Sequence, residues 1–162
     1  MICYLFQIKD RHNGNILLDA EGHVIHIDFG FLLGRAPGGP FSIETAPFKL
    51  TAEMVAALGG LRSRLFLDFM GMVSKGFLAL QAAAPSIMAA VEIVAEQSSF
   101  PCFAGRPSEK AAILDKLRQR LRPHLDRTEA EKYAMSLVKR SYDTTLTRAY
   151  DRYQFQTQGI SP

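Results

Sequence analysis

Lys9-Asp10-Arg11-His12-Asn13-Gly14-Asn15 and, a short passage later, Asp28-Phe29-Gly30 form the stretch on which the fold turns. Between them lie Ile16-Leu17-Leu18, the turn-forming Asp19-Ala20-Glu21-Gly22, and His23-Val24-Ile25-His26-Ile27. Two apolar-rich runs around a tetrapeptide ending in Gly predict a small β-hairpin. Pairing of its strands brings the polar ends, Asn15 and Asp28, near one another. Functional side chains at the ends of short rigid strands are what positioning demands.

The intervals point to a chemistry. Asn15 follows Asp10 by five residues, and Asp28 follows Asn15 by thirteen. Phosphoryl transfer needs metal ions on the phosphate oxygens, a group that accepts the attacking hydroxyl's proton, and positioning. Asp28 offers a hard carboxylate suited to Mg2+, and Asn15 offers a neutral amide oxygen for a second metal position. Gly30 is expected to let the backbone turn sharply after the carboxylate. Asp10 and His12 are the two candidates for the base. Histidine ordinarily titrates near neutrality; Asp10 stands where the spacing to Asn15 would place the base of a protein kinase. His23 and His26 alternate on one strand and read as structural rather than as metal ligands.

Moving outward, Phe29 to Leu50 reads as a loop interrupted by Pro37-Gly38-Gly39-Pro40, with Pro47 near its end. A loop of this length in a compact domain is a lid or a binding loop. Thereafter the chain is helical. Thr51 is an N-cap for a helix that ends at Gly59-Gly60. Leu61, Leu65, Phe66, Phe69, Met70, Val73, Phe77 and Leu80 recur at helical spacing. Pro85 and Pro107 each open a further helix, the first carrying Met88, Val91 and Val94 or Ala95 inward, the second Ile113, Leu114, Leu117 and Leu121. Thr128-Glu129-Ala130-Glu131 has the pattern of a capping box, and a last helix spans about Thr144 to Gln156. The fold class is therefore mainly α with one small β-hairpin.

At 162 residues the chain is long enough for one domain with a real core. Cys3 and Cys102, far apart in the chain, read as reduced thiols rather than a zinc site or disulfide framework. No uninterrupted apolar run reaches the roughly 18 residues that span a bilayer, and the first residues lack the basic start of a signal, so a cytosolic location is the default. Residues 1–105 carry 7 Lys/Arg against 9 Asp/Glu, whereas residues 106–162 carry 12 against 7. The basic C-terminal third can face anionic lipid or simply be solvated helix faces.

Taken jointly, Gln7 to Asp19 and Gly22 to Phe31 resemble the catalytic and activation segments of the phosphatidylinositol 3- and 4-kinases, with Asp-Arg-His where protein kinases have His-Arg-Asp. Phe48-Lys49-Leu50-Thr51, Gly59-Gly60, Phe100-Pro101-Cys102-Phe103, Tyr150-Asp151 with Gln154, and Gly159-Ile160 are similar to the type III phosphatidylinositol 4-kinases. The Pro-Gly-Gly of the loop is similar to their alpha form and the Gly-Ile ending to their beta form. The resemblance implies the C-terminal helical lobe of such a kinase: catalytic loop 9–15, activation loop 28–50 and a helical remainder 51–162. It implies ATP as phosphoryl donor, with Mg2+, or Mn2+ as the alternative, on Asn15 and Asp28. His12 becomes the favoured base or relay with Asp10 beside it, Arg11 is structural, and Leu17 and Ile27 form the floor under the adenine. Arg35 and Lys49, the only bases between Asp28 and Leu50, would meet the inositol headgroup. So few bases favour plain phosphatidylinositol over phosphorylated inositides, since extra phosphates need Lys or Arg partners. Arg148, Tyr150, Arg152, Tyr153 and Phe155 would lie against an anionic membrane, making the protein peripherally membrane-associated. No nucleic-acid partner is implied.

A kinase of this family also needs an N-terminal lobe with a phosphate-covering loop, a lysine on the α/β-phosphates and a hinge. None of these precedes residue 10, and Lys9 is adjacent to Asp10 on the wrong side of the site. The isolated chain is accordingly expected to turn over little or no substrate until that lobe is supplied. Two other readings are a fragment of a related protein kinase and a non-catalytic module that docks on membranes or partners.

Overall fold

A computed structural model describes residues 1–39, 42 and 44–160. Helix α1 (Ile2–Phe6) leads through the catalytic-loop segment into a 3-10 turn (Asn13–Asn15). Strands β1 (Ile16–Leu18) and β2 (Val24–His26) follow, then α2 (Ala52–Ala57), α3 (Arg64–Ala82) and α4 (Ala84–Gln97). The chain finishes with α5 (Pro107–Leu121), α6 (Arg127–Ser141) and α7 (Thr145–Gln158). The expected hairpin is present: β1 and β2 are antiparallel, with Ile16 opposite His26, Leu17 opposite Ile25 and Leu18 opposite Val24. Its turn closes through Gly22 N–H to Asp19 O (3.1 Å), with Gly22 at a positive φ of 86°. Pro40, which belongs to the expected Pro-Gly-Gly-Pro break, lies outside the described residues.

Two apolar clusters hold the helices. In the first, Phe66, Val73 and Phe77 of α3 pack on Ala130, Ala134, Leu137 and Val138 of α6, with Val55 of α2 and Leu50 added. The alanines let the two backbones approach while the phenylalanines fill the space between them. In the second, Ala84, Met88 and Ala95 of α4 pack on Leu117 and Leu121 of α5, together with Leu33, Cys102 and Phe103. Helix α1 joins the two, because Tyr4 enters the first cluster and its neighbour Leu5 enters the second. Arg120 fixes that wedge: its Nε donates to Leu5 O (2.7 Å) and its carbonyl accepts from Tyr4 Oη (2.8 Å). The segment leaving α1 therefore starts from an anchored point.

Several expectations change in detail. Helix α3 begins three residues later than the apolar spacing suggests, because Ser63 caps it by accepting from Phe66 N–H (3.0 Å) and Leu61 stays outside, exposed. With 19 residues, α3 is also long and apolar enough to cross a bilayer. A count of uninterrupted apolar residues missed this, because Asp68 and Lys75 break the run; its buried stripe is the one that packs on α6. The capping box of α6 is Asp126 with Glu129, two residues before the expected pair: Glu129 N–H donates to Asp126 Oδ1 (2.8 Å) and Asp126 N–H to Glu129 Oε2 (3.1 Å). Between Val94 and Ala95, it is Ala95 that is buried. Tyr150, expected among the rings facing a membrane, is only 6% exposed and turned inward. Tyr153 and Phe155 do lie on the outside of α7.

Candidate active site

The site is built around a guanidinium. Arg11 is buried, and its Nε donates to Lys9 O (3.0 Å). Its Nη1 donates to Asn15 O (3.3 Å) and Ile27 O (2.7 Å), and its Nη2 donates to Asp28 O. Arginine is suited to this because its planar fork carries five fixed donors. Its Cζ also lies 5.9 Å from the centroid of the Phe29 ring. One side chain thus ties the loop before β1 to the segment after β2. Ile27 N–H to Asn15 O (3.1 Å) extends the hairpin to the same place. The backbones of residues 15 and 28 meet there, as the strand pairing implied.

Both aspartates sit in the left-handed region, Asp10 at φ 63° and Asp28 at φ 57°. Asp is among the few L-residues that tolerate this conformation, and it persists where surrounding structure over-determines it. At Asp10 the surroundings include Glu44, whose Oε2 accepts from Asp10 N–H (2.6 Å). Burial pushes the Glu44 carboxyl up, and burial also lowers the Lys9 ammonium, whose Nζ donates to Ala46 O (2.9 Å). At Asp28 the left-handed φ belongs to the aspartate, while the chain bends at Gly30, as the sequence suggested, without a positive φ there. Asp28 Oδ1 accepts from the Gly30 N–H (3.1 Å), and a Cβ at Gly30 would stand only 3.3 Å from that oxygen. Asp28 is exposed.

Asn15 is buried at the end of the 3-10 turn. Its Nδ2 donates to Asp10 O (3.0 Å) and lies 3.3 Å from His12 Nε2. Both of these contacts use the amide nitrogen. A carboxylate and an amide oxygen on adjoining backbones suit a hard divalent cation. His12 Nε2 stands 3.9 Å from Asp10 Oδ1, and its buried Nδ1 has no hydrogen-bond partner among the described residues. Gly14 is close enough to the imidazole that a Cβ would meet Nδ1 at 3.1 Å.

The remaining expected residues fall into two groups. Leu17 (45% exposed) and Ile27 (39% exposed) present apolar surface on the hairpin beside the site. Arg35 is exposed in the loop. Lys49 is elsewhere: its Nζ pairs with Asp151 Oδ1 of α7 at 2.7 Å and donates to Asn13 Oδ1 at 3.0 Å, with the side chains of Lys49 and Asp151 only 5% and 11% exposed. His23 pairs with Asp19 (2.7 Å), and His26 Nε2 lies 3.7 Å from Cys3 Sγ. Asp19, Glu21 and His23 also place their ligand atoms within 4.8 Å of one another, so the geometry of His23 fits a cation ligand as well as a structural role. Sequence reasoning missed Glu44 and the inward roles of Tyr150 and Asp151. Only the Tyr150-Asp151 dipeptide had a signal, as part of the family resemblance; a lone loop glutamate has none.

With this geometry in place, comparison with known proteins is decisive. The family model described as phosphatidylinositol 3- and 4-kinase matches residues 1–103. The chain belongs to that family. Across 161 residues it is 47% identical to the phosphatidylinositol 4-kinase PIK1a of Candida albicans, covering 99% of this chain and 16% of the relative. It is 43% identical over 164 residues to phosphatidylinositol 4-kinase beta 2 of Arabidopsis thaliana (99% and 14%), and 39% identical over 160 to phosphatidylinositol 4-kinase beta of Xenopus laevis (99% and 19%). The chain spans less than a fifth of the length of these relatives. Its lipid-kinase family resemblance extends through the helices beyond residue 103, since these matches run over nearly the whole chain.

Proposed function

We propose that residues 1–162 form the helical catalytic lobe of a phosphatidylinositol 4-kinase, which moves the γ-phosphate of ATP to the 4-hydroxyl of phosphatidylinositol. The observation that carries this is the Arg11 fork, which joins the Asn15 and Asp28 corners at one point. Asn15 Oδ1 and the Asp28 carboxylate would hold Mg2+, with Mn2+ as the alternative. When bound, the cations would neutralise charge on the β/γ-phosphate oxygens. Asp10 and His12 form the proton-accepting pair for the inositol hydroxyl, their positions fixed from three sides by Asn15, Glu44 and the loop backbone. Leu17 and Ile27 would lie under the adenine, and Arg35 would meet the headgroup phosphodiester.

The substrate class is supported by charge. Of the two bases in the loop, Lys49 is already neutralised by Asp151, so the loop offers still less cation for phosphates on the inositol ring. Peripheral attachment to an anionic, cytoplasm-facing membrane fits exposed Tyr153 and Phe155 beside Arg148 and Arg152 on α7. The β-rich phosphate-covering lobe would come from other parts of the polypeptide. The test is turnover of the natural full-length protein on phosphatidylinositol vesicles, with the product's phosphate position determined. Phosphatidylinositol 4-phosphate is expected, and Asp28→Ala should leave under about 1% of the rate, since a metal ligand supplies several kcal/mol to the transition state. Wild-type turnover on peptides but not on vesicles, or unaltered turnover by Asp28→Ala, would overturn the reading.

A further inference from the structure

Besides the contacts from Phe31, Glu44, Ala46 and Lys49 of the long loop, polar contacts reach the candidate catalytic loop from α7. Tyr150 is buried, and its hydroxyl donates to Asp10 Oδ1. That hydroxyl in turn accepts from Gln154 Nε2 (2.8 Å), one helical turn further on and also buried. The next residue, Asp151, holds Lys49, and Lys49 holds Asn13 of the same loop. Thr144 caps α7 by accepting from Thr147 N–H (3.1 Å), so the helix that carries these groups has a fixed start.

The oxygen of Asp10 that Tyr150 grips is the one that faces His12 Nε2. Its backbone is already set by Glu44 and by the left-handed turn, so the remaining freedom of Asp10 is rotation of the carboxylate. A phenol is well suited to removing that freedom. It is rigid, uncharged and, being buried and facing a carboxylate, has its own ionisation pushed far above the ordinary range, so it stays a donor. Resting on the lipid-kinase reading above, we infer that Tyr150 is a positioning residue: its hydroxyl, held by Gln154, fixes the Asp10 carboxylate against His12, so that α7 completes the proton-accepting pair.

A merely structural tyrosine would show itself in stability, a positioning one in the chemical step. Tyr150→Phe in the natural full-length protein keeps the ring and removes only the donor. On phosphatidylinositol vesicles kcat is expected to fall about tenfold or more, the loss that a hydrogen bond to a charged group produces. KM for ATP and for lipid should stay within about twofold, and Tm should be retained. Gln154→Met, which leaves Tyr150 intact but frees its hydroxyl, should lower kcat in the same direction by a smaller factor. It decides the matter if Tyr150→Phe does not fold. Unchanged kcat in the folded variants would overturn the assignment, as would a fall in Tm with kcat preserved. Asp28→Ala run alongside separates the two claims: if it abolishes turnover while Tyr150→Phe and Gln154→Met do not alter kcat, the kinase reading stands and only the role of Tyr150 fails.

Discussion

The catalytic-loop segment and the hairpin that follows it invert the usual distribution of polar and apolar groups. From Lys9 to Asn15 the chain buries Lys9, Arg11, His12 and Asn15, and each of them is held by named partners. From Leu17 to Phe29 it exposes Leu17, Leu18, Val24, Ile25, Ile27 and Phe29. Burying a cation is costly unless its donors are used, and Arg11 uses its guanidinium on four carbonyls. Leu17 and Ile25 pair on one side of the ribbon and Leu18 and Val24 on the other, so both sides leave apolar surface in water. The polar groups of the loop are met by partners elsewhere in the chain, from Ile27 and Asp28 to Glu44, Ala46 and Tyr150. The hairpin instead leaves apolar side chains exposed, among them the two proposed as the adenine floor.

That contrast can be broken at either end. The largest effect is expected from Arg11→Ala, which strips four carbonyls of their donor and should cost about 3–5 kcal/mol of folding stability along with turnover. Arg11→Lys should restore little, since one ammonium cannot serve a planar fork. Denaturant unfolding and lipid-kinase turnover together check this, and a stable, active Arg11→Ala would show that the guanidinium is not what joins the two corners. The smallest effect on folding is expected from Leu17→Ser. An exposed hairpin side chain should change stability by no more than about 0.5 kcal/mol, while KM for ATP rises several-fold because the adenine loses an apolar contact. Equal losses of stability at Leu17 and Arg11 would erase the distinction between the regions.

How much of this was legible from residues alone follows from the range of each interaction. The hairpin was legible because strand pairing and its turn are local, and Asp19, Gly22 and the apolar runs lie within a dozen residues. Helix existence was legible from periodicity, but the starts of α3 and α6 were not, since Ser63 and Asp126 compete with nearby residues for the same cap. Spacing alone nominated Asp10, His12, Asn15 and Asp28. It could not nominate Glu44, which reaches Asp10 across 34 residues, or Tyr150, which reaches it across 140. The inward turn of Tyr150 was hidden for another reason: a tyrosine beside arginines on an amphipathic helix suits a membrane face and a polar interior equally well.

The central claim is that residues 15 and 28 hold divalent cation at one point, and it is tested most directly by counting bound metal. Mn2+ would be titrated into the natural full-length protein with a non-hydrolysable ATP analogue present, and the bound ion followed by electron paramagnetic resonance. Asp28→Ala and Asn15→Ala, each verified as folded, should both lose bound Mn2+ relative to wild type, Asp28→Ala the more severely because it removes the charged ligand. Undiminished Mn2+ stoichiometry and affinity in both folded variants would contradict the account.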